Sequence, residues 1–387
     1  MKQVYLDYSA TTPVKKEVLD EMIPFFSESF GNPSSAYALG RNSKEAINRA
    51  RKQVASLIGA NDYEVTFTSS GTEANNWAIF GVCDAMKNKG NHIITTKTEH
   101  PAIISQCKFL EERGYEVTYL DVQSDGLVDI NALENAITKN TILISIMFVN
   151  NEIGTIQPIK ELNKIAKKHN VLFHSDAVQA LGSVMFDVKD LDIDLMSISA
   201  HKIYGPKGIG ALYIKDGLVI SNLIHGGSQE NKKRPGTENL TGIIGFGKAA
   251  EITEKDLAAH IERLTELREY FIEKVMSLIP DVVLNGHRSL RHPGNANLRF
   301  SYIEGETMME YLNYKGIYVS TGSACSSSET TPSHVLMALN IPIEHIHSSL
   351  RFTLGDFTTK EDIDFVIGEL VEMVEKFRMI SPTAKIK

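Results

Sequence analysis

Asp192-Ile-Asp-Leu-Met-Ser-Ile-Ser-Ala-His-Lys-Ile-Tyr-Gly-Pro-Lys-Gly-Ile-Gly-Ala-Leu-Tyr-Ile214 decides the fold: an apolar run, then Ser199, His201 and Lys202, then glycines and a second apolar run. The pattern predicts strand, polar hairpin, strand. Lys202 leaves the end of a buried strand beside the tight Gly205-Pro206 turn, in a partly dry site where an amine sheds its proton more readily. Such a lysine can form a Schiff base with an aldehyde. A solvated hairpin lysine is the alternative that this stretch alone leaves open.

Working outward, short apolar runs at residues 65–68, 93–96, 117–120, 142–149, 171–174, 195–199 and 211–214 alternate with helical segments. Runs without polar alternation belong to strands covered on both faces, so the fold class is α/β with a mostly parallel, doubly wound sheet. Ligands of such sheets bind beyond the carboxyl ends of the strands. Upstream, residues 4–13 predict a short strand and turn, residues 14–26 an amphipathic helix, and residues 43–58 a second helix with Ser43 as N-cap and Gly59 as its stop. Downstream, a long helix over 240–279 precedes strands near 297–302 and 349–354 and helices near 305–315 and 360–378. That is a smaller α+β unit. The expected division is an N-terminal segment, 1–13, associated with the small domain, a large cofactor-binding domain, 14–259, and a small domain, 260–387, carrying Cys325.

With 387 residues, 42% hydrophobic and 23% charged, the chain reads as an ordinary globular protein of two domains. The net charge of -8, without any Lys/Arg run, gives nucleic-acid binding no footprint. Cys83, Cys107 and Cys325 are too few and too scattered for a disulfide framework or a paired-cysteine metal site. A reducing cytoplasm fits, since no apolar signal core or transmembrane-length run occurs.

Chemistry-bearing residues follow the predicted strands. Ser69-Ser-Gly71-Thr72-Glu-Ala-Asn-Asn76 opens a helix whose N–H groups and dipole suit a phosphate, or an ordinary hydroxyl cap. His100, in Glu99-His100-Pro101, could stack on a flat ligand, and Asn151 lies in the amide-rich turn Asn150–Gly154. Asp176, behind an apolar strand, needs a partner such as a protonated ring nitrogen unless it is a helix cap. Schiff-base lysine, ring-nitrogen acid, stacking residue and phosphate seat are together what pyridoxal phosphate requires. Cys325 sits among small polar residues, the setting of an exposed, nucleophilic thiol, whereas Cys83 and Cys107 lie in apolar helices as packing. Arg351 alternates with apolar residues along a strand and could grip a carboxylate or form a structural ion pair.

Ser-Ala-His-Lys202-Ile-Tyr-Gly-Pro-Lys-Gly, Thr-Glu-His100, Asn-Asn-Glu-Ile-Gly154, Asp176-Ala-Val-Gln179, His-Gly-Gly227, Arg-Pro-Gly-Thr237 and Ser-Thr-Gly-Ser-Ala-Cys325-Ser-Ser together resemble the NifS/IscS group of cysteine desulfurases in the class-V aminotransferase family, over nearly the whole chain. The resemblance implies a homodimeric enzyme of pyridoxal-phosphate fold type I that converts L-cysteine to L-alanine and leaves a persulfide on Cys325. It implies that Lys202 holds the cofactor and shuttles protons, Asp176 pairs with the ring nitrogen, His100 stacks on the ring, and Gln179 contacts the ring hydroxyl. Gly71, Thr72, Ser199 and His201 would hold the phosphate, with Thr237 reaching across from the other subunit. Asn151, beside the cofactor, and Arg351 would fix the substrate carboxylate, and the sulfur would pass to an acceptor protein such as an iron–sulfur scaffold.

The chain departs from the group's pattern at Tyr37, Ala200 and Pro235, and it stops at Lys387, without the longer tail with which IscS-like relatives dock the scaffold. It also lacks the Arg-x-Gly-His-His-Cys pattern of the SufS-like group, which implies direct hand-over of sulfur. The alternatives are a selenocysteine lyase or β-lyase with the same cofactor, and a non-catalytic cofactor-binding assembly partner.

Overall fold

The computed structural model describes residues 2–321 and 332–381. Its strands are β1 (Val4–Tyr5), β2 (Val65–Thr68), β3 (His92–Thr96), β4 (Glu116–Leu120), β5 (Thr141–Ser145), β6 (Leu172–Asp176), β7 (Leu195–Ser199), β8 (Gly210–Ile214), β9 (Val282–Leu284), β10 (Asn295–Phe300), β11 (Ile317–Tyr318) and β12 (Ser349–Thr353). Seven of them form one sheet in the order β2-β8-β7-β6-β5-β3-β4. Only β8 runs antiparallel to its neighbours, because the hairpin after Ser199 is too short for a parallel crossover. β5, β7 and β8 are buried along their whole length, as expected of strands covered on both faces. The crossovers bring the carboxyl ends of β3, β5, β6 and β7 to one edge.

Glycine permits one close approach there. A Cβ on Gly210 would lie 2.7 Å from the Ser70 carbonyl carbon and 2.8 Å from Ile198 O, so only glycine lets the turn before the helix Gly71–Met86 rest against β8.

The helix Leu240–Leu278 joins two of the three apolar cores among the described residues. Ile243, Ile244 and Phe246 pack with the large sheet, while Leu264, Phe271, Ile272 and Val275 pack with β10 and β12. The second core carries the antiparallel sheet β12-β10-β9. The amino terminus returns to this part of the molecule, since β1 pairs in parallel with β11 through Val4↔Ile317, and Asp7 bridges to Thr353.

Local differences from expectation have local causes. The helix expected over 14–26 is broken into Lys16–Met22 and Pro24–Ser27, because proline has no N–H to continue the ladder. The second helix starts at Ala38, not at Ser43. Ser43 lies inside it, with its hydroxyl donating to Leu39 O at 3.2 Å and Ser29 O at 3.1 Å. Gly59 does end it, at φ +72°. No helix among the described residues is long and apolar enough to cross a membrane.

Glu230, Asn231 and Lys232 are consecutive left-handed residues, with φ of 46°, 54° and 66°, a conformation that costs L-residues about 1–2 kcal/mol each. Glu230 holds them in place. Its carboxylate accepts both terminal nitrogens of Arg51 at 2.6 Å and the N–H of Phe67 at 2.9 Å, and the guanidinium lies 4.8 Å from the Phe67 ring centroid. Glu230→Ala is expected to lower unfolding stability by about 3 kcal/mol, because it leaves the mostly buried Arg51 charge uncompensated. Urea unfolding of parent and variant measures it, and an unchanged midpoint would refute the assigned role.

Candidate active site

Lys202 stands in the one-turn helix Ala200–Lys202 directly after β7. Its Nζ donates to Ser9 O and, at 2.9 Å, to Ala10 O. Gln179 donates to the same Ser9 oxygen at 2.9 Å, so the turn after β1 gathers the lysine and the glutamine. A cavity of about 390 Å³ opens here, bordered by Ser9, Gln179, Lys202, His260 and His292.

Asp176 is the last residue of β6 and is buried. Val178 N–H donates to its Oδ1 at 3.0 Å, and Asn75 Nδ2 donates to its Oδ2 at 2.7 Å. His100 caps the helix Pro101–Glu111, its Nδ1 accepting from Ala102 N–H at 3.1 Å. That bond assigns the ring proton to Nε2. Burial drives the His100 pKa below the ordinary imidazole value, with Lys202 and His334 acting in the same direction and Asp176 and Glu152 against it. The imidazole is therefore neutral and within electrostatic reach of both Asp176 and Lys202.

The anion seat is built from two elements. Ser70 caps the helix Gly71–Met86, with its Oγ accepting Glu73 N–H at 3.2 Å, and the N–H groups of Gly71 and Thr72 belong to the first turn, which has no intrahelical acceptors. A Cβ on Gly71 would meet Val178 Cγ2 at 2.6 Å and Ser199 Cβ at 3.7 Å, so the helix start lies against the end of β7. His201 is held by Thr11, whose Oγ1 is 3.1 Å from Nδ1, and burial lowers its pKa to about 4.

Across the cleft, Asn150 shapes the turn that presents Asn151. Its Oδ1 accepts Glu152 N–H and Ile153 N–H, both at 2.9 Å, and its amide donates to Thr98 O at 2.9 Å. Arg351, on β12 and buried, donates to Asn151 O at 3.0 Å and to Asp7 Oδ1 at 2.8 Å. Ser333 donates to the buried Glu152 carboxylate at 2.6 Å, and His334 Nε2 lies 2.8 Å from Glu99 O.

Lys202, Gln179, Asp176, His100, Gly71, Ser199, His201, Asn151 and Arg351 thus line one region at the strand ends. Thr72 is exposed at its rim. Thr237 is exposed in a different cavity, beside Phe67, Ser69 and Gly236. Cys325 lies outside the described residues. Cys83 and Cys107 are buried, and burial raises each thiol pKa to about 12.

Sequence reasoning missed Ser9 and Ala10, which act through backbone carbonyls that any residue type would supply. It missed Asp7 and Asn75 as well. Asn75 stands four residues after Gly71, the spacing that shares a helix face, and that spacing was a usable signal.

The aminotransferase class-V family matches residues 4–366. The chain belongs to that family. Cysteine desulfurase IscS of Dictyoglomus turgidum is 57% identical over 98% of this chain and 97% of the relative. Among solved structures, a NifS-like protein superposes with a TM-score of 0.91 at 36% identity, covering 97% of this chain and all (100%) of that one. A second, titled SspA in complex with cysteine, gives a TM-score of 0.80 at 35% identity, covering 92% of this chain and 100% of that one. This class-V chain therefore has the architecture of pyridoxal-phosphate fold type I.

Arg351→Lys is expected to cost roughly 2 kcal/mol, since an ammonium cannot serve the Asn151 carbonyl and the Asp7 carboxylate in the planar fork geometry and leaves a buried acceptor unmet. Chemical denaturation tests this, and equal stability would show that the guanidinium geometry is dispensable.

Proposed function

We infer that the protein is a pyridoxal-phosphate-dependent cysteine desulfurase, which removes sulfur from L-cysteine to give L-alanine and a persulfide on Cys325. The observation that carries the reading is that the Lys202 amine, the buried Asp176 carboxylate and the neutral His100 imidazole stand at the carboxyl ends of β7, β6 and β3 of one sheet, with His100 within electrostatic reach of the other two. Near-full-length likeness to IscS desulfurases agrees with it.

The donor set fits the cofactor. The close approach of Gly71 to Ser199 supports a phosphate seat made of the Gly71 and Thr72 N–H groups, Ser199 and His201. Asp176 would hold the ring nitrogen protonated, Gln179 would meet the ring hydroxyl, and His100 would cover the ring face. When bound, pyridoxal phosphate supplies an aldehyde for the substrate amine and an electron sink that labilises bonds at the substrate's α- and β-carbons. Lys202 would hold the aldehyde and would move protons at the substrate carbon. Asn151 and Arg351 orient the substrate carboxylate. His100, neutral with its proton on Nε2, can deliver or take a proton without adding charge to the cleft. Cys325 attacks the substrate sulfur as thiolate. The carbon–sulfur bond breaks, a sulfur–sulfur bond forms, and the carbon takes up a proton to leave alanine.

A persulfide must be unloaded for a second turnover, so the reading includes an acceptor protein, such as an iron–sulfur scaffold. It also includes a homodimer, in which Thr237 reaches the partner's phosphate. Thr237 lines a cavity other than the one Lys202 borders, and Phe26, Phe30 and Tyr37 are 63%, 61% and 61% exposed near the amino terminus, an apolar surface of the kind that partners cover. Thiol chemistry at Cys325 is suited to a reducing cytoplasm. The separate core around β10 and β12, which also takes in Val4 and Leu6, supports a division into a large domain, 14–259, and a small domain, 260–387, with which the first 13 residues associate, while Val335, Leu336, Leu339 and Ile346 of the latter pack with the large sheet's core.

Holoenzyme given L-cysteine and a thiol reductant is expected to release equimolar alanine and sulfide. Cys325→Ala should lose at least about 99% of turnover while keeping the visible absorbance of the lysine-bound cofactor, as expected for loss of a nucleophile alone. Full activity without Cys325, or no alanine from the parent, refutes the reading. Light scattering of the holoenzyme tests the dimer.

A further inference from the structure

Glu99 directly precedes His100, and the reaction as described gives it no task. It is completely buried (0% exposed) at the end of β3. Its Oε1 accepts two hydrogen bonds, from Met147 N–H and Thr96 Oγ1, both at 2.9 Å. Its Oε2 is buried without a partner among the described residues. The titratable groups facing it are Asp176 at the end of β6, whose charge opposes that of Glu99, and Cys107 on the helix Pro101–Glu111, with His100 adjoining along the chain and His334 on its backbone carbonyl. Among the described residues, none of these groups places a cation on its carboxyl group.

A second oxygen is equally stranded. Asn75 donates its amide hydrogen to Asp176, yet its Oδ1 is buried with no partner among the described residues. Two orphan acceptors cannot satisfy one another, but a single proton on Oε2 turns one of them into a donor. We propose that Glu99 is a positioning residue held as a neutral carboxylic acid, its Oε2 proton donated to Asn75 Oδ1, so that the Asn75 amide stays fixed on Asp176. Gln106 Oε1 is also unpartnered, but Gln106 bonds within its own helix, whereas Asn75 is joined to the carboxylate that acts on Glu99. Neutrality also leaves Asp176 as the carboxylate charge presented to the ring nitrogen. The proposal rests on the assignment of Asp176 to that nitrogen. Burial, the leading cause, raises the Glu99 pKa to about 8, in agreement with a neutral acid at neutral pH.

The test uses holoenzyme with excess cofactor. Infrared spectra at pH 7 should contain a protonated-carboxyl stretch that Glu99→Gln removes. Between the ordinary value of 4.5 and about 8 the unfolded chain is ionised at this position while the folded chain keeps its proton, so the parent loses stability as pH rises through that window. Glu99→Gln escapes that loss, and its melting temperature should gain on the parent's from pH 5 to pH 8. Glu99→Ala should speed cofactor dissociation by about tenfold, the size of one buried hydrogen bond, and Glu99→Ala with Asn75→Ala should be no faster than the worse single variant.

A missing infrared band, a pH-independent melting difference or additive effects of positions 75 and 99 overturns the proposal. If Glu99→Ala fails to fold, the Glu99→Gln spectra and melts decide. Asp176→Asn separates the two levels. Unchanged cofactor retention there would remove the ring-nitrogen assignment and the positioning role built on it, while the infrared and melting results still judge the protonation of Glu99.

Discussion

The Ser9 carbonyl oxygen, which accepts from both Lys202 and Gln179, is the contact on which the rest of the molecule depends. It belongs to a turn near the start of the chain, while its donors lie about 170–190 residues later. The strand before that turn pairs with β11 in a sheet of two, Asp7 bridges to Thr353 of the small sheet, and the Asp7 side chain meets Arg351. A single short segment therefore fixes the position of the lysine and of the guanidinium together. A carbonyl suits this task because it orients an amine while contributing no full negative charge.

Burial simplifies the electrostatics around that point. His201 and His100 are both driven toward neutrality, and His174 beneath Asp176 is pushed down to about 3, held between the hydroxyls of Ser145 and Ser197. Neutral imidazoles can stack, donate and accept without competing for the charged partners. The named charges of the cleft are then Asp176, Glu152, Lys202 and the Asp7–Arg351 pair.

The large sheet was legible because each of its buried strands carries its own apolar run, and the hairpin around Lys202 was legible from its glycines. Boundaries were less so. Ser43 looks like a cap in one dimension, yet the helix already begins at Ala38, since nothing in the sequence records the packing that admits an extra turn. Among site residues, those that act through a distinctive side chain at a strand end, Lys202, Asp176 and His100, could be found by type and place. Ser9 and Ala10 act through main-chain oxygens, and the proton proposed on Glu99 is suggested only by its burial, so no pattern of residue types marks them. Thr237 remains outside the single-chain cluster for a geometric reason, lying in another cavity beside β2.

The helix Gly71–Met86 shows how few elements need to be placed accurately. Its first turn offers N–H groups at Gly71 and Thr72, and one turn later the same face carries Asn75, bonded to Asp176. Four residues of helix advance about 6 Å along the axis, so the proposed anion seat and the partner of the carboxylate proposed for the ring nitrogen are set at a fixed separation by one rigid rod. Gly210 lets that rod touch the sheet, and Gly71 lets it approach Val178, just after β6. Substituting either glycine would displace both functions at once, because the spacing resides in the helix and its position in the two close approaches.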